Sequence, residues 1–135
     1  MDSFVVAVAT DDGKNLIDRH FGDADYYYLY RVGPDKQEFL KYVSRKFDED
    51  ESLKDGDPEK AKGISAFLKP FDVKVTSAKA YGPNIKRIKK HFVCVLANGN
   101  IQDALNKIQD NFSEVEAEWE KGGDRNYLTL RSSNE

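Results

Sequence analysis

Near its start the chain carries Phe4-Val5-Val6-Ala7-Val8-Ala9, an unbroken apolar run that stops at Thr10-Asp11-Asp12-Gly13-Lys14. The run is far shorter than the ~18 residues of a membrane span. It is rich in valine and does not alternate, which is the pattern of a strand buried on both faces. Such a strand needs cover above and below. The run therefore points to an α/β protein with helices against its sheet, and away from a bundle or a one-sided sheet.

The rest of the chain supplies the cover. Tyr26 to Val32 is aromatic and reads as a second strand. Gly33-Pro34-Asp35-Lys36 is turn chemistry, and Phe39 to Lys46 reads as a third strand. Asp57-Pro58 reads as a helix cap with proline at the first helical position; Ala61, Ile64 and Leu68 follow on one face, with Phe67 at its edge, until Pro70. Val73 to Thr76 is a short strand. Gly82-Pro83-Asn84 opens a second helix with Ile85 and Ile88 inward. Phe92 to Ala97 is another buried-type strand, and Asn98-Gly99-Asn100 turns the chain. Ile101, Leu105, Ile108, Phe112, Val115 and Trp119 then mark one face of a long helix that ends at Gly122-Gly123. The order is β-β-β-α-β-α-β-α, a mixed sheet with helices on its faces. The expected division is one domain over residues 1–122, then a partly disordered tail over 123–135 in which Tyr127 to Leu130 adds a short extended segment.

At 135 residues the chain suits one domain with a real core. Its net charge of −3 disfavours nucleic acid unless basic residues are segregated. They partly are. Asp48, Glu49, Asp50, Glu51, Asp55 and Asp57 crowd a stretch that reads as a mobile, solvated connection, whereas Lys79, Lys86, Arg87, Lys89 and Lys90 occupy a stretch with no acid. The start, Met1-Asp2-Ser3, lacks the features of a secretory signal. One cysteine can make neither an internal disulfide nor a cysteine-rich metal cage. The expected compartment is the cytoplasm, with no membrane or nucleic-acid partner.

Open α/β sheets bind ligands outside the carboxyl ends of their parallel strands. Three loops should gather there: Thr10 to Gly22, Thr76 to Asn84, and Ala97 to Asn100. In the first, Arg19-His20-Phe21-Gly22 could ligate a metal or donate to an anion, or could be a plain surface loop with a solvated histidine. In the second, Tyr81-Gly82-Pro83-Asn84 before a basic helix could present free N–H groups to an anion, or could be an ordinary Gly-Pro helix start. Asp11 and Asp12 could hold Mg²⁺ but more often build an Asx turn. Cys94, between Val93 and Val95, reads as an inert core thiol. His91 reads as a helix C-terminal residue.

Val5-Val6-Ala7-Val8-Ala9-Thr10-Asp11-Asp12-Gly13-Lys14, then His20-Phe21-Gly22, then the aromatic strand, resembles the dinitrogenase iron–molybdenum cofactor biosynthesis family. These are the NifX-type domains, also found at the end of NifB-type proteins and in NafY-type proteins. The resemblance runs from about Phe4 to Ile108. It implies a ribonuclease H-like three-layer α/β/α sandwich with a mixed five-stranded sheet. It implies binding or transfer of an anionic iron–sulfur cluster, such as an iron–molybdenum cofactor precursor, between donor and acceptor proteins of cofactor assembly in nitrogen fixation. The family histidine maps onto His20. The family's glycine-rich turn maps onto Ala78 to Asn84, where only Gly82-Pro83 is kept and Lys79 and Tyr81 replace small residues, narrowing the cleft. The implied cofactor-binding set is Asp12, Arg19, His20, Phe21, Gly22, Lys79, Tyr81, Gly82, Pro83 and Asn84, with His20 as the metal ligand.

Three functions compete. The first is a non-enzymatic metallocluster carrier. The second is a Mg²⁺-dependent hydrolase or nuclease using Asp11 and Asp12, which would need further carboxylates converging on two metals. The third is a protein-interaction module using the helix from Ile101 to Gly122 and the acidic stretch.

Overall fold

The computed structural model of the chain describes residues 2–45 and 60–131. The expected acidic connection, the Asp57-Pro58 helix start and the disorder expected for the last four residues lie outside the described residues. Strand β1 spans Phe4–Thr10, β2 Tyr26–Gly33 and β3 Lys36–Ser44. Helix α1 (Lys60–Leu68) precedes β4 (Val73–Ala78), α2 (Ile85–Ile88) and β5 (Val93–Leu96). Helices α3 (Ile101–Asp110) and α4 (Phe112–Trp119) lead to β6 (Leu128–Thr129).

The strands form one sheet in the order β3-β2-β1-β4-β5-β6. β1, β4, β5 and β6 run parallel, and β2 is antiparallel to both β1 and β3. Every residue of β1 is buried, as its apolar run requires. Its side chains alternate between two cores. Phe4, Val6 and Val8 pack with Val75, Val93 and Val95 beneath Ile101, Leu105, Ile108, Phe112 and Val115 of α3 and α4. Val5, Ala7 and Ala9 pack with Cys94 on the other face beneath Ile64 and Leu68 of α1 and Ile88 of α2. Each buried Leu or Ile contributes about 1.5–3 kcal/mol. Among the described residues, no helix is long and apolar enough to cross a membrane.

The sheet has six strands rather than the expected five. Leu128 pairs with Val95 and Thr129 with Leu96, and Leu130 N–H donates to the Leu96 carbonyl at 2.8 Å. Without this strand the backbone groups of β5 would form an open edge. The expected long helix is two helices. At Asn111 the backbone leaves the helical region (φ −114°, ψ 31°), and the Asn111 side chain donates to the Lys107 carbonyl at 2.8 Å. The apolar stripe nevertheless continues across the break, because Ile108, Phe112 and Val115 all face the sheet. α3 starts with a capping box: Asn100 Oδ1 accepts from Asp103 N–H at 2.8 Å and Asp103 Oδ2 accepts from Asn100 N–H at 3.4 Å.

β3 is an edge strand with a register shift at Leu40. Together with Lys36 and Lys41, this bulge disfavours pairing with another chain. Tyr28 stacks on Tyr42 with ring centroids 5.2 Å apart, and Tyr30 meets Phe39 edge-on at 5.4 Å. Tyr28 and Tyr30 thus form a cross-strand aromatic ladder with Tyr42 and Phe39, while Tyr27 is buried on the opposite face of the sheet.

Candidate functional site

The three expected loops meet at the carboxyl edge of β1, β4 and β5. Ile101 N–H donates to the Lys14 carbonyl at 2.8 Å, which ties the β1 loop to the start of α3. His20 bridges Ala80 in parallel fashion, and Phe21 N–H donates to the Ala80 carbonyl at 2.9 Å. This extension of the sheet sets the His20 loop beside the Gly82 turn. His20 is exposed, and its ring lies so close to Gly82 that a Cβ there would sit 2.5 Å from Nδ1. Gly82 has φ +69°, so glycine answers both the backbone and the imidazole above it.

The β1 turn is built by its own polar side chains. Asp12 Oδ1 accepts from the N–H groups of Lys14 and Asn15, both at 2.8 Å, and Oδ2 accepts from Asn15 Nδ2 at 3.0 Å. These bonds, led by Asn15 N–H, hold the Asp12 carboxyl far below the usual carboxylate range. Thr10 Oγ1 accepts from Gly13 N–H at 3.0 Å and donates to the Asn15 carbonyl at 2.6 Å. Asp12 is therefore an Asx-turn residue whose oxygens are engaged by the turn's own N–H groups. Asp11 accepts from Arg19 and from Asp25 N–H at 3.0 Å.

A cleft of about 400 Å³ opens at this edge, lined among others by Asp11, Asp12, Asn15, Asp18, Lys79 and Gly99. Both of its expected cations are engaged. Arg19 pairs with Asp11 and donates to the Asp23 carbonyl at 2.9 Å. Lys79 Nζ lies 2.8 Å from Asp18 Oδ1, and this ammonium keeps the Asp18 carboxyl below its usual range. With three carboxylates against one lysine in its lining, the cleft is acidic where a basic field was expected. The expected helix N-terminus is also reduced. Gly82–Asn84 is one 3₁₀ turn and α2 a single α-turn, so few peptide dipoles align there. Pro83 and Asn84 are exposed there.

The model of the dinitrogenase iron–molybdenum cofactor family matches residues 2–111. The chain belongs to that family. A "putative dinitrogenase" from Methanococcus jannaschii, solved by NMR, is similar: 20% identity, covering 86% of this chain and 92% of its own, with a TM-score of 0.48. A crystal structure of such a protein from Methanocaldococcus jannaschii gives 21% identity, 84% and 90% coverage, and 0.47. No curated protein matches.

In this member of the cofactor family, two of the expected site residues turn inward. Phe21 is fully buried and stacks on Tyr81 with centroids 5.2 Å apart. Tyr81 is buried as well; its hydroxyl lies 2.9 Å from Thr76 Oγ1 and accepts from Val95 N–H at 3.2 Å. Tyr81 thus fills the core beneath the turn and does not narrow the cleft. Gly22 is half-buried, its carbonyl accepting from Arg45 at 3.4 Å, with open space where a Cβ would stand. Sequence reasoning missed Asp18, Asn15 and Gly99. Asp18 adjoins Arg19 in the chain, yet its partner is Lys79 across the edge, a pairing no local pattern encodes.

Proposed function

We propose that this domain binds and passes on an anionic metallocluster, an iron–molybdenum cofactor or iron–sulfur precursor, without turning it over chemically. The observation that carries the reading is the exposed imidazole of His20 resting on Gly82 at the carboxyl edge of the sheet. Membership in the cofactor family supports the cargo class. The chain's one cysteine, Cys94, is fully buried, so the donor at this edge is an imidazole, not a thiolate. One imidazole holds a cluster loosely, which suits a cargo that must leave again. The cluster would compete with Asp18 for Lys79 and with Asp11 for Arg19, so the two ion pairs act as placeholders for the anion.

A strand order in which β2 alone opposes its neighbours supports the ribonuclease H-like reading of the sheet. A cytoplasmic setting with donor and acceptor proteins of cofactor assembly follows from the same reading. The hydrolase alternative finds less support: Asp11 and Asp12 are both committed to loop bonds, and no group of three metal-binding side chains occurs among the described residues.

The test is an anaerobic titration of wild type and His20→Ala with an extracted cluster, at low and high salt. The expected loss is about 1–3 kcal/mol of binding, one charge-assisted contact. Where Lys79 and Arg19 leave their carboxylates for the cluster, salt should screen that attraction. Equal affinity in the two proteins would remove His20 from the site.

A further inference from the structure

The opposite edge of the sheet holds a second cavity. Val73 and Val93 are the first residues of the parallel strands β4 and β5, so this edge is the one away from His20 and Gly82. The cavity there measures about 440 Å³. Val73 and Phe92, both buried, and the ring of Trp119 give it apolar walls, and Lys69, Lys74 and His91 bring basic groups to it. Mostly apolar walls with a few convergent polar groups, in a volume within about 300–1,000 Å³, are the make-up of a small-molecule site.

The charges choose the ligand. The one acid in the lining, Asp72, is already held by Lys74 at 3.0 Å. Among the described residues no ion pair holds the Lys69 ammonium. Lys74 Nζ also lies 5.4 Å from the Trp119 ring centroid, and the Arg125 guanidinium lies 4.1 Å from it. Arg125 is fixed in turn by the carbonyls of Trp119 and Lys90, at 3.1 and 3.0 Å. The aromatic wall thus carries positive charge on its flank, and among the described residues of the lining no free carboxylate answers it.

We propose that this pocket is a second ligand site, which takes a small organic anion with a flat apolar body. The body lies against Phe92 and Trp119, and the carboxylate or sulfonate faces Lys69 and His91. The site is separate from the metallocluster edge and does not depend on the reading of His20.

Trp119 is the chain's one tryptophan, so its emission reports on this pocket directly. The experiment titrates the full chain with 4-phenylbutyrate and with its neutral amide under selective tryptophan excitation. The expected result is a saturable emission change with the acid and at least about fivefold weaker binding of the amide, the weight of one partly exposed charge contact. Lys69→Met should weaken the acid by a similar factor and leave the amide unchanged. Ala66→Phe, an exposed helix position on the pocket wall, should abolish the response to both, with circular dichroism confirming the fold. His20→Ala should leave it intact. Absence of saturation, equal binding of acid and amide, or an unchanged titration in Lys69→Met would overturn the proposal. Should Ala66→Phe not fold, Ser65→Leu fills the same wall, and full binding in a folded filling variant would likewise overturn it.

Discussion

The ring of His20 occupies the space in which Gly82 would otherwise carry a side chain: a Cβ at Gly82 would stand 2.5 Å from Nδ1, 2.6 Å from Cε1 and 2.9 Å from Cγ of the imidazole. The contact joins residues from two loops, and the main-chain bond from Phe21 to Ala80 holds it in register. The glycine and the histidine therefore work as a pair.

Gly82→Ala should cost about 1–2 kcal/mol, because alanine is strained at φ +69° and its methyl displaces the imidazole. Gly22→Ala, where a Cβ meets nothing within 4 Å, should change stability by less than about 0.5 kcal/mol. Urea denaturation of both variants measures the contrast, and the imidazole resonances of His20 should move in the first alone.

Asp18→Asn should tighten cluster binding about two- to fivefold, because it frees Lys79 from a competing carboxylate. The salt dependence should steepen with it. Weaker binding in this variant would mean that Lys79 does not face the cargo.

Tyr81→Phe should destabilise the fold by about 1–3 kcal/mol, since it leaves Val95 N–H and Thr76 Oγ1 buried without the hydroxyl. Cluster affinity should not change, because the ring lies in the core. Thermal unfolding beside the anaerobic titration separates the two effects.

Cys94 should resist alkylation in the native protein from pH 7 to 9. Burial pushes its thiol up to about 12, so the folded chain holds it neutral across that window. The linkage has a sign. The unfolded thiol ionises above about pH 8.5 while the folded one does not, so this group's contribution to stability is full below that pH and declines above it. Native-state labelling rates against pH provide the measurement.

Asp12 behaves in the opposite sense. Its folded carboxyl is depressed by the Asn15 and Lys14 N–H groups, so its contribution is present above about pH 4 and is lost as pH falls further. Amide exchange at Lys14 and Asn15 should quicken in Asp12→Ala at neutral pH, and an unchanged rate would show that the turn stands without it.

Much of this protein was legible from local chemistry. A valine-rich run without polar interruption admits one environment, so β1 as a doubly covered strand followed directly. Cys94 between Val93 and Val95 had to be core for the same reason. Strand polarity in an α/β order brings the ends of β1, β4 and β5 to one edge, and that alone sets the His20 and Gly82 loops side by side. The spacing of Asp12 from Lys14 and Asn15 already allowed an Asx turn.

What only the tertiary structure decided concerns choices between distant or equivalent partners. Tyr127 to Leu130 reads as a short extended segment with no stated partner, and Leu128-Thr129 became β6 because the open edge of β5 needed hydrogen-bond partners. The stripe from Ile101 to Trp119 shows a helical period on both sides of Asn111, and periodicity does not register a break that keeps the same face inward. Phe21 and Tyr81 sit in loops, where no period says which side chain turns in; packing against each other and the Thr76 and Val95 groups settled it. Above all, Arg19 and Lys79 looked like free cations in the chain. Which carboxylate each would meet depended on the separation of loops far apart in sequence, and their pairing with Asp11 and Asp18 turned an expected basic cleft into an acidic one.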